Sequence, residues 1–447
     1  MKIKLPNGVV LTKSEDGTHL TVDRETVCND ERIEIPECVD GIPVTHITEC
    51  AFYSCPNLKE LVLPGSILSM GYTSLSESSD GINVTVLDGV TEINEFTFYL
   101  DSCLRSISLP DSVTEIPNSA FSGCKRLKEI RLPEGLARID AFTFSGCEEL
   151  EKITLPKKTA VIGMSAFSKC RSLRKVPDLS GVELLESDAF SECTSLTSVD
   201  IPANIAHVES GAFRGCTSLS SVRIADGVKR IGKYAFSGCT SLKSITLPRS
   251  VTRIDEGAFE GCTSLTSVTI ECECADVGKR AFFSCPSLTK ITVPGTVRGS
   301  MLDRIFENDR ITSVRISDGS QEVGAYLLYG FSRLDDIVIP PSAEGIGAMA
   351  FYRCVSLKEI ILPEGVTDIG DNAFHSCIRL SDVTLPKSIR AVGKDAFSRC
   401  LSLNAIHYGG SAEEWSNVKQ SIGDDEETTV NCVHTADAIL HFPSDNT

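Results

Sequence analysis

The sequence predicts a β-rich solenoid, a fold that stacks one short structural repeat many times. The first observation is the repeated phrase itself, since AFSGCTSLKSITLPRSVTRIDEG, residues 235–257, is followed at once by AFEGCTSLTSVTI. The second is the register, because the phenylalanine of AF recurs every 23 residues without insertion or deletion. Counted from Phe52 to Phe397, the period gives 16 repeats, with Leu75, Ile305 and Leu328 as the anchors of three degenerate copies. A repeat this short cannot bury its apolar face alone, so neighbouring repeats must stack.

Each position in the repeat has a predicted structural role. Six residues after the anchor, leucine occupies 14 of the 16 repeats, and nine residues after it every repeat is apolar. The pattern L-x-x-I-x-L-P alternates as a short strand does, and proline ends that strand. The segment V-x-x-I is extended and half-buried, while A-F-x-x-C fits a single helical or 3₁₀ turn. Each repeat is therefore predicted as strand, turn, extended segment and tight turn.

The full phrase A-F-x-x-C-x-x-L-x-x-I-x-L-P-x-x-V-x-x-I-G resembles the BspA-like class of leucine-rich repeats, found in bacterial and some protist proteins. The similarity reaches both ends of the chain. CVDGIPVTHITECAF, residues 38–52, looks like the family's opening segment, and HYGGSAEEWSNVKQSIG, residues 407–423, looks like its closing cap around Trp415. The resemblance implies an α/β, β-rich leucine-rich-repeat solenoid, a right-handed superhelix with a parallel sheet on its inner face. It also implies interaction rather than catalysis, often adhesion at a cell surface.

The unbroken period predicts one continuous structural domain, although length alone favours about three domains of ~150 residues. Interior repeats contact only their neighbours, so the boundaries should fall where the period stops. We expect an N-terminal cap and opening segment over 1–50, the repeat solenoid over 51–403 and a C-terminal cap over 404–442. The remaining residues, 443–447, should form a frayed tail.

Composition and charge limit the classes of partner. Hydrophobic residues make up 41% of the chain and no run of 18 apolar residues is present, so no membrane insertion is expected. With 43 Lys and Arg against 61 Asp and Glu, the net charge of −18 disfavours nonspecific nucleic-acid binding. The start MKIKLPNGVVLTK lacks the features of a signal peptide, which favours the cytoplasm for the chain as it stands. A cell-surface or secreted location is the alternative if Met1 is not the native start.

Cysteine is the other periodic feature. Of 19 cysteines, 12 occupy the position three residues after the anchor, and the odd total favours a reducing compartment. Adjacent members of this column should stand at strand spacing with parallel Cβ vectors, which is unsuited to disulfide bonds. The column offers no histidine partners and no C-x-x-C pair, and Cys272-x-Cys274 comes nearest to one. We therefore predict buried, inert thiols, no metal and no other cofactor.

Signals for catalysis are weak. GVKRIGK, residues 227–233, imitates a phosphate-binding loop, but Tyr234 replaces the required Ser or Thr. Residues 345–350 imitate a dinucleotide fingerprint, yet both matches arise because the repeat places glycine before A-F. Among the seven scattered histidines, His434 and His441 could meet Cys432, although a solvated or core role is favoured. We predict no catalytic residues and a protein that is not an enzyme.

A binding module and a passive spacer remain as the two classes of function, and a self-assembling intracellular scaffold belongs with the second. Binding is favoured, because solenoids present long surfaces whose variable positions are free to specialise. A spacer is less favoured, because the sequence shows no second domain for it to present. The ligand is expected to be a protein or a glycan, and adhesion to host or partner proteins is the specific expectation.

The charge of the strand positions indicates where binding takes place. Seven, eight and ten residues after each anchor stand 12 basic and 8 acidic side chains, against the acidic balance of the whole chain. These positions predict a mildly basic face that attracts an acidic partner. The alternative is that exposed strand positions simply collect Lys and Arg together with Ser and Thr. The basic excess lies early in the chain, at Arg105, Lys128, Arg131, Lys152, Arg174 and Lys175.

A second candidate surface comes from the residue directly after the anchor. It is serine in most central repeats but carries a ring in five late ones, Phe283, Phe306, Tyr329, Tyr352 and His375. At the repeat spacing these rings would form a stripe on the convex side, and an apolar stripe on an acidic surface favours weak self-association. The alternative is local repacking, because two of these repeats have the smaller anchors Ile305 and Leu328, whose space larger rings could fill.

Overall fold

The computed structural model describes residues 1–71, 75, 81–93, 95, 97–272, 276–296, 302, 306, 309–420, 430 and 432–441. The anchor Ile305, the position of Cys274 and the tail from Phe442 lie outside these residues. The chain divides into two compact units, unit 1 (Met1–Leu242) and unit 2 (Lys243–Thr447). In both units it winds as a β-solenoid with almost no helix, in about 16 turns of roughly 23 residues altogether. The predicted fold class is confirmed, while the predicted cap and solenoid boundaries stay predictions.

Unit 1 consists of short strands that recur once per turn after a lead-in at the N-terminus. Its strands are β1 Lys2–Lys4, β2 Val10–Lys13, β3 Leu20–Val22, β4 Arg32–Glu34, β5 Cys38–Val39, β6 Ile42–Ile47, β7 Glu60–Leu63, β8 Ser69–Met70, β9 Ile82–Val86, β10 Leu104–Ser108, β11 Glu129–Arg131, β12 Arg138–Ile139, β13 Val161–Ile162, β14 Leu184–Leu185, β15 Ser198–Ile201, β16 His207–Val208, β17 Ser221–Ile224 and β18 Arg230–Ile231. Strands β4, β7, β9, β10 and β11 form one parallel sheet, in which Ile107 lies opposite Ile130. The two-residue strands β12, β13 and β14 pair in parallel in the same way. The register therefore advances by one repeat from strand to strand.

Unit 2 has the same plan. Its strands are β19 Ser244–Leu247, β20 Arg253–Ile254, β21 Ser267–Ile270, β22 Asp276–Val277, β23 Lys290–Val293, β24 Ser313–Ile316, β25 Glu322–Val323, β26 Asp336–Val338, β27 Gly345–Ile346, β28 Glu359–Ile361, β29 Asp368–Ile369, β30 Asp382–Leu385, β31 Ala391–Val392, β32 Ala405–Tyr408, β33 Lys419–Gln420, β34 Cys432–His434 and β35 Ile439–His441. Parallel sheets run through β19, β21, β23, β24 and β26, and through β28, β30, β32 and β34. A short helix, α1, spans Ala412–Ser416.

The core is a stack of identical side chains. In unit 1 the anchor phenylalanines from Phe98 to Phe236 lie face to face, with ring centroids 5.1 to 5.6 Å apart between neighbours. In unit 2, Phe351, Phe374 and Phe397 stack at 4.9 and 5.3 Å. All of these rings are buried. Each ring packs against the ring of the next turn, so an insertion would move one anchor out of register with its neighbour. This explains why the period runs without insertions.

The A-F-x-x-C segment is a tight turn, as predicted. The backbone N–H of Cys124 donates to the carbonyl of Phe121 at 3.2 Å, and that of Leu127 donates to the carbonyl of Cys124 at 3.1 Å. The thiol of Cys124 also donates to the carbonyl of Phe98 in the preceding turn, at 2.9 Å. In most of the turns that carry it, the column cysteine therefore satisfies a buried carbonyl of the preceding turn as well as filling space.

Antiparallel strands occur near both ends of the chain. At the N-terminus β1, β2 and β3 form antiparallel pairs, and β3 then pairs in parallel with β6. Near the C-terminus β35 runs antiparallel to β34, and Trp415 of α1 packs on Tyr408 with ring centroids 5.1 Å apart. Ser411 and Glu414 form a capping box at the start of α1. An antiparallel strand covers the edge that a parallel ladder would otherwise expose.

Candidate functional site

The outward strand positions of unit 1 carry the basic residues that the sequence singles out. In β10 and β11, Ile107 and Ile130 are buried while Arg105 and Arg131 are exposed, and Lys128 stands half-buried just before β11. The alternation follows from the pleat, which turns successive side chains to opposite faces.

The next two turns continue this face. Residues 151–154 form no strand, but Lys152 is exposed beside the buried Ile153. In the following turn Arg174 and Lys175 are exposed, and Lys175 pairs with Ser198 in a parallel bridge. The structure thus brings the six predicted residues to outward strand positions of four consecutive turns. We call them the basic strand face: Arg105, Lys128, Arg131, Lys152, Arg174 and Lys175.

Two of these cations already have partners. Lys128 Nζ lies 3.5 Å from Glu149 Oε2, and Arg131 Nη2 lies 3.1 Å from Asp111 Oδ2. Both pairs are about half exposed, so each is weak and replaceable. Among the residues that the structure describes, the other four cations of the face form no ion pair, and these are Arg105, Lys152, Arg174 and Lys175.

The surface around the cations is hollowed and polar. One depression of about 290 Å³ is lined by Arg105, Lys128 and Lys152 together with Asn83, Ser106, Glu129 and Glu151. A neighbouring one of about 370 Å³ adds Arg131 and the hydroxyl groups of Thr85, Ser108 and Thr154. The hydroxyl of Ser106 donates to Asn83 Oδ1 at 2.7 Å, which fixes the amide at the rim. The face therefore offers cations, hydroxyl groups, one amide and two carboxylates to a ligand.

Three late turns of unit 2, those after the anchors Leu328, Phe351 and Phe374, carry four acidic side chains and one basic one at the same repeat positions, a feature that pooling all repeats conceals. We call Asp335, Asp336, Glu359 and Asp382 the acidic strand face, and all four are exposed. Glu359 lies directly opposite Asp382 in the parallel register. Beside them Ile361 exposes 68% of its surface. Counting charges over separate groups of repeats would have revealed this difference from the sequence.

The predicted aromatic stripe is only partly formed. Tyr352 stacks on Tyr329 and on His375 with centroids 4.9 Å apart in both pairs, and we call these three residues the ring ladder. The prediction is wrong for Phe306, which is buried and stacks on the core ring of Phe282 at 5.1 Å. Phe306 therefore fills the anchor space of its turn, where an aliphatic anchor was expected.

Phe283 keeps the predicted position but interacts differently. It is 37% exposed, and the guanidinium of Arg280 lies 4.1 Å from its ring centroid. A ring that the sequence did not indicate joins the other end of the ladder, because the exposed Tyr326 lies 6.2 Å from Tyr329. Self-association through these rings stays a prediction.

The thiols of the column are buried and hydrogen-bonded. Burial raises the pKa of Cys216 to about 12, and desolvation raises the pKa of Cys193 well above its ordinary value. Such thiols remain protonated and unreactive at neutral pH. The prediction is wrong at Cys55, which forms a disulfide bond with Cys28. Cys28 lies 27 residues before Cys55, outside the column. Cys272 is disulfide-bonded as well.

The other sequence motifs have structural explanations. Register places Cys432 opposite His441, and His407 opposite His434 with ring centroids 5.0 Å apart. Within the described part of the chain, no three His, Cys, Asp or Glu side chains form a group that could hold a metal ion.

The glycine that creates the imitation nucleotide motifs is needed for packing. At Gly347 a Cβ atom would lie 2.4 Å from the backbone nitrogen of Ala325 in the preceding turn. Gly232, in the imitation phosphate loop, is packed as closely, since its Cβ would lie 2.7 Å from the carbonyl oxygen of Val208. Both glycines are therefore required where successive turns approach each other.

The repeat, the stacked core and the paired turns agree with comparisons to known proteins. The family described as "BspA type Leucine rich repeat region" matches residues 27–114, 91–219, 183–300 and 299–418. This chain belongs to that family. Members of the family and fold are typically non-enzymatic scaffolds, and the chain is a repeat protein of the binding-scaffold type. No curated protein matches its sequence.

A solved bacterial structure shares the fold, and two others are similar over most of their length. A leucine-rich repeat protein from Bacteroides ovatus ATCC 8483 is 26% identical, with a TM-score of 0.53, covering 96% of this chain and 99% of that one. A leucine-rich cell surface protein from Faecalibacterium prausnitzii A2-165 is 23% identical with a TM-score of 0.41, over 95% and 98% of the two chains. The pneumococcal vaccine antigen PcpA is 17% identical with a TM-score of 0.45, over 97% and 98%. Within the described residues of this BspA-type protein, no helix has the length and apolar character to span a bilayer.

Proposed function

We propose that this BspA-type repeat protein is a non-catalytic scaffold that binds an acidic partner on its basic strand face. The observation that carries the proposal is the group of four exposed cations without an ion pair in the described residues, Arg105, Lys152, Arg174 and Lys175. An unpaired cation needs no existing salt bridge to be broken when a ligand arrives. It therefore contributes its full electrostatic attraction to binding.

The net charge of the chain does not prevent this attraction. The Debye length is about 8 Å at physiological ionic strength, so acidic groups on the remainder of the surface are largely screened from a ligand on the face. The cations of the face are within reach of the same ligand and are not screened to that extent. Binding should therefore be a local property of the face and not of the net charge of −18.

The disulfide bond between Cys28 and Cys55 supports a location of this protein outside the cell, where it could bind such a partner. Disulfide bonds persist in oxidising compartments and on cell surfaces, and are rare in the cytosol. Adhesion is therefore our specific proposal for the biological role, with a surface or secreted location instead of the cytoplasmic one expected from the first residues and the cysteine count. The passive-spacer alternative makes no use of a basic face in one unit and an acidic face in the other.

The test uses two polyanions as probes, poly-L-glutamate and polygalacturonate, at about 0.15 M salt. The variant Lys128→Glu, Lys152→Glu, Lys175→Glu reverses the basic strand face. The matched control Lys243→Glu, Lys290→Glu, Lys358→Glu reverses three exposed strand-position lysines of unit 2, with the same change in net charge. We expect the first variant to lose about tenfold or more in affinity for at least one probe, and the control to lose less than about threefold.

Two outcomes would overturn the proposal. Equal effects of the two variants would show that only net charge is sensed. If neither probe binds to the wild-type protein, the face does not bind an acidic partner.

A further inference from the structure

We infer that the ligand of the basic strand face is a linear acidic polysaccharide with one anionic group on each sugar, such as a polyuronate. This inference rests on the proposed function and specifies its ligand. It comes from the spacing of the cations, from the other groups that line the depressions, and from the two carboxylates that lie among the cations.

The cations recur at the pitch of the solenoid. Each of four consecutive turns supplies at least one cation at the seventh or eighth position after its anchor, in the order Arg105, Lys128, Lys152 and the pair Arg174 and Lys175. Strands in neighbouring turns lie about 4.8 Å apart, which is comparable to the advance of an extended polysaccharide per sugar residue. A polyuronate laid along the solenoid axis therefore repeats its carboxylates at an interval close to that of the cations. A folded acidic protein has no such constant interval between its charges.

The remaining groups suit a sugar better than a bare anion. Asn83 and Ser106 line the same depression as Arg105 and Lys128, and Thr85, Ser108 and Thr154 line the next one. Amide and hydroxyl groups both donate and accept hydrogen bonds, as sugar hydroxyl groups require. All of them except Thr154 stand on strands held by parallel ladders, so little ordering is needed before a ligand binds.

The carboxylates of Glu129 and Glu151 add selectivity. Both are exposed at the edge of the depression that holds Lys128 and Lys152. Each can accept a hydrogen bond from a sugar hydroxyl. Each also repels a polymer that is charged along its whole backbone and offers no uncharged hydroxyl groups at the point of contact. The arrangement therefore favours one charge per sugar over the closely charged backbone of a nucleic acid.

The test titrates the whole protein with galacturonate, with galacturonate oligomers of two, four and six residues, and with the methyl-esterified hexamer. Poly-L-glutamate and a single-stranded oligonucleotide of six phosphates serve as competing classes of ligand. We expect affinity to rise at least tenfold from the dimer to the tetramer and to change little beyond it, because four turns carry the cations. The esterified hexamer should bind at least tenfold more weakly than the acid.

A second variant separates sugar recognition from charge. Asn83→Ala with Ser106→Ala should weaken binding of the hexamer about threefold or more and leave poly-L-glutamate unaffected, whereas Lys152→Glu should weaken both. Ser313→Ala, at the equivalent position in unit 2, is the matched control and should leave hexamer binding unchanged.

Failure of the inference and failure of the proposed function give different results. If poly-L-glutamate binds through the face and the uronates do not, the polysaccharide inference is wrong while the proposed function stands. Tighter binding of the oligonucleotide, or an affinity independent of uronate length, would also overturn the inference. If no polyanion binds, both are wrong.

Discussion

The basic strand face of unit 1 and the acidic strand face of unit 2 occupy the same positions of the repeat and carry opposite charges. Beneath them the core is the same, since Phe144 and Phe374 are both buried, stacked rings. Lys152 and Asp382 each stand eight residues after one of these anchors, and both are exposed. The difference teaches that inward positions specify the fold, whereas outward positions are free to specify a ligand.

The largest expected effect acts on the inward positions of both units, at alkaline pH. Burial raises the pKa of Cys216 to about 12, and it raises the pKa of Cys170 and of Cys354 as well. A raised thiol pKa means that the folded state holds the proton more tightly than the unfolded state does. The stability that this adds is complete at pH values below the unfolded pKa near 9, and it is lost as pH rises through the folded pKa. Each such thiol should cost about 1 kcal/mol per pH unit above 9.

Urea unfolding between pH 8 and 11 measures this loss. Other groups also titrate in this range, so the control is Cys170→Ala with Cys193→Ala, which removes two of the buried thiols. It should make the fall of unfolding free energy with pH less steep. An identical slope in the control and the wild-type protein would contradict the account.

The next effect compares the two cores directly. Phe190→Ala in unit 1 and Phe374→Ala in unit 2 each remove a fully buried ring that stacks on both neighbours. Each should lower the free energy of unfolding by roughly 3 to 5 kcal/mol, measured by urea denaturation. The exposed Tyr326→Ala is a control and should cost much less. A large difference between the two phenylalanine variants would break the equivalence of the two cores.

A smaller effect belongs to unit 1 alone. Cys28→Ser with Cys55→Ser removes a disulfide bond that spans 27 residues. The free energy of unfolding should fall by about 3 kcal/mol, because the unfolded chain gains conformational entropy. Hydrogen exchange should quicken near the N-terminus and remain unchanged in unit 2, because solenoid turns contact only their neighbours. Cys38→Ser, at an exposed free thiol, is the control. Equal quickening in both units would contradict this expectation.

The smallest effect concerns the ring ladder of unit 2. Tyr329→Ser with Tyr352→Ser should lower the oligomeric mass in sedimentation without changing circular dichroism, because stacked, half-buried rings are the predicted contact. Ser122→Ala, at the equivalent position in unit 1, is the control. A wild-type protein that stays monomeric at high concentration would end the self-association hypothesis.

Most of the fold could be predicted because the inward positions repeat without interruption. The anchor, the leucine six residues later and the apolar residue nine residues later determine the turn, the strand and the stacking of copies. Thus Phe121, Leu127 and Ile130 are all buried as the period requires. The basic residues could be located for the same reason, since position in the repeat decides which side chains face outward.

The rest depends on contacts that break the period. Cys55 belongs to the column, but it forms a disulfide bond because Cys28 lies outside the repeat. Phe306 stands one position after the expected anchor, and only the three-dimensional packing shows that it occupies the core. Which cations are already paired also depends on side-chain geometry, as with Lys128 and Glu149. The disulfide bond, the core position of Phe306 and the ion pairs therefore cannot be predicted from the consensus of the repeat.

One paired measurement tests most directly whether outward positions decide binding and inward positions decide stability. Polygalacturonate affinity and urea unfolding are measured on the same samples of two variants. Lys128→Glu, Lys152→Glu, Lys175→Glu changes the outward side, and Phe144→Leu changes the core of the turn that carries Lys152. The account predicts that the first loses about tenfold in affinity and less than about 0.5 kcal/mol in stability. The second should lose about 1 kcal/mol in stability and retain its affinity. Binding that falls only when stability falls, in either variant, would contradict the account.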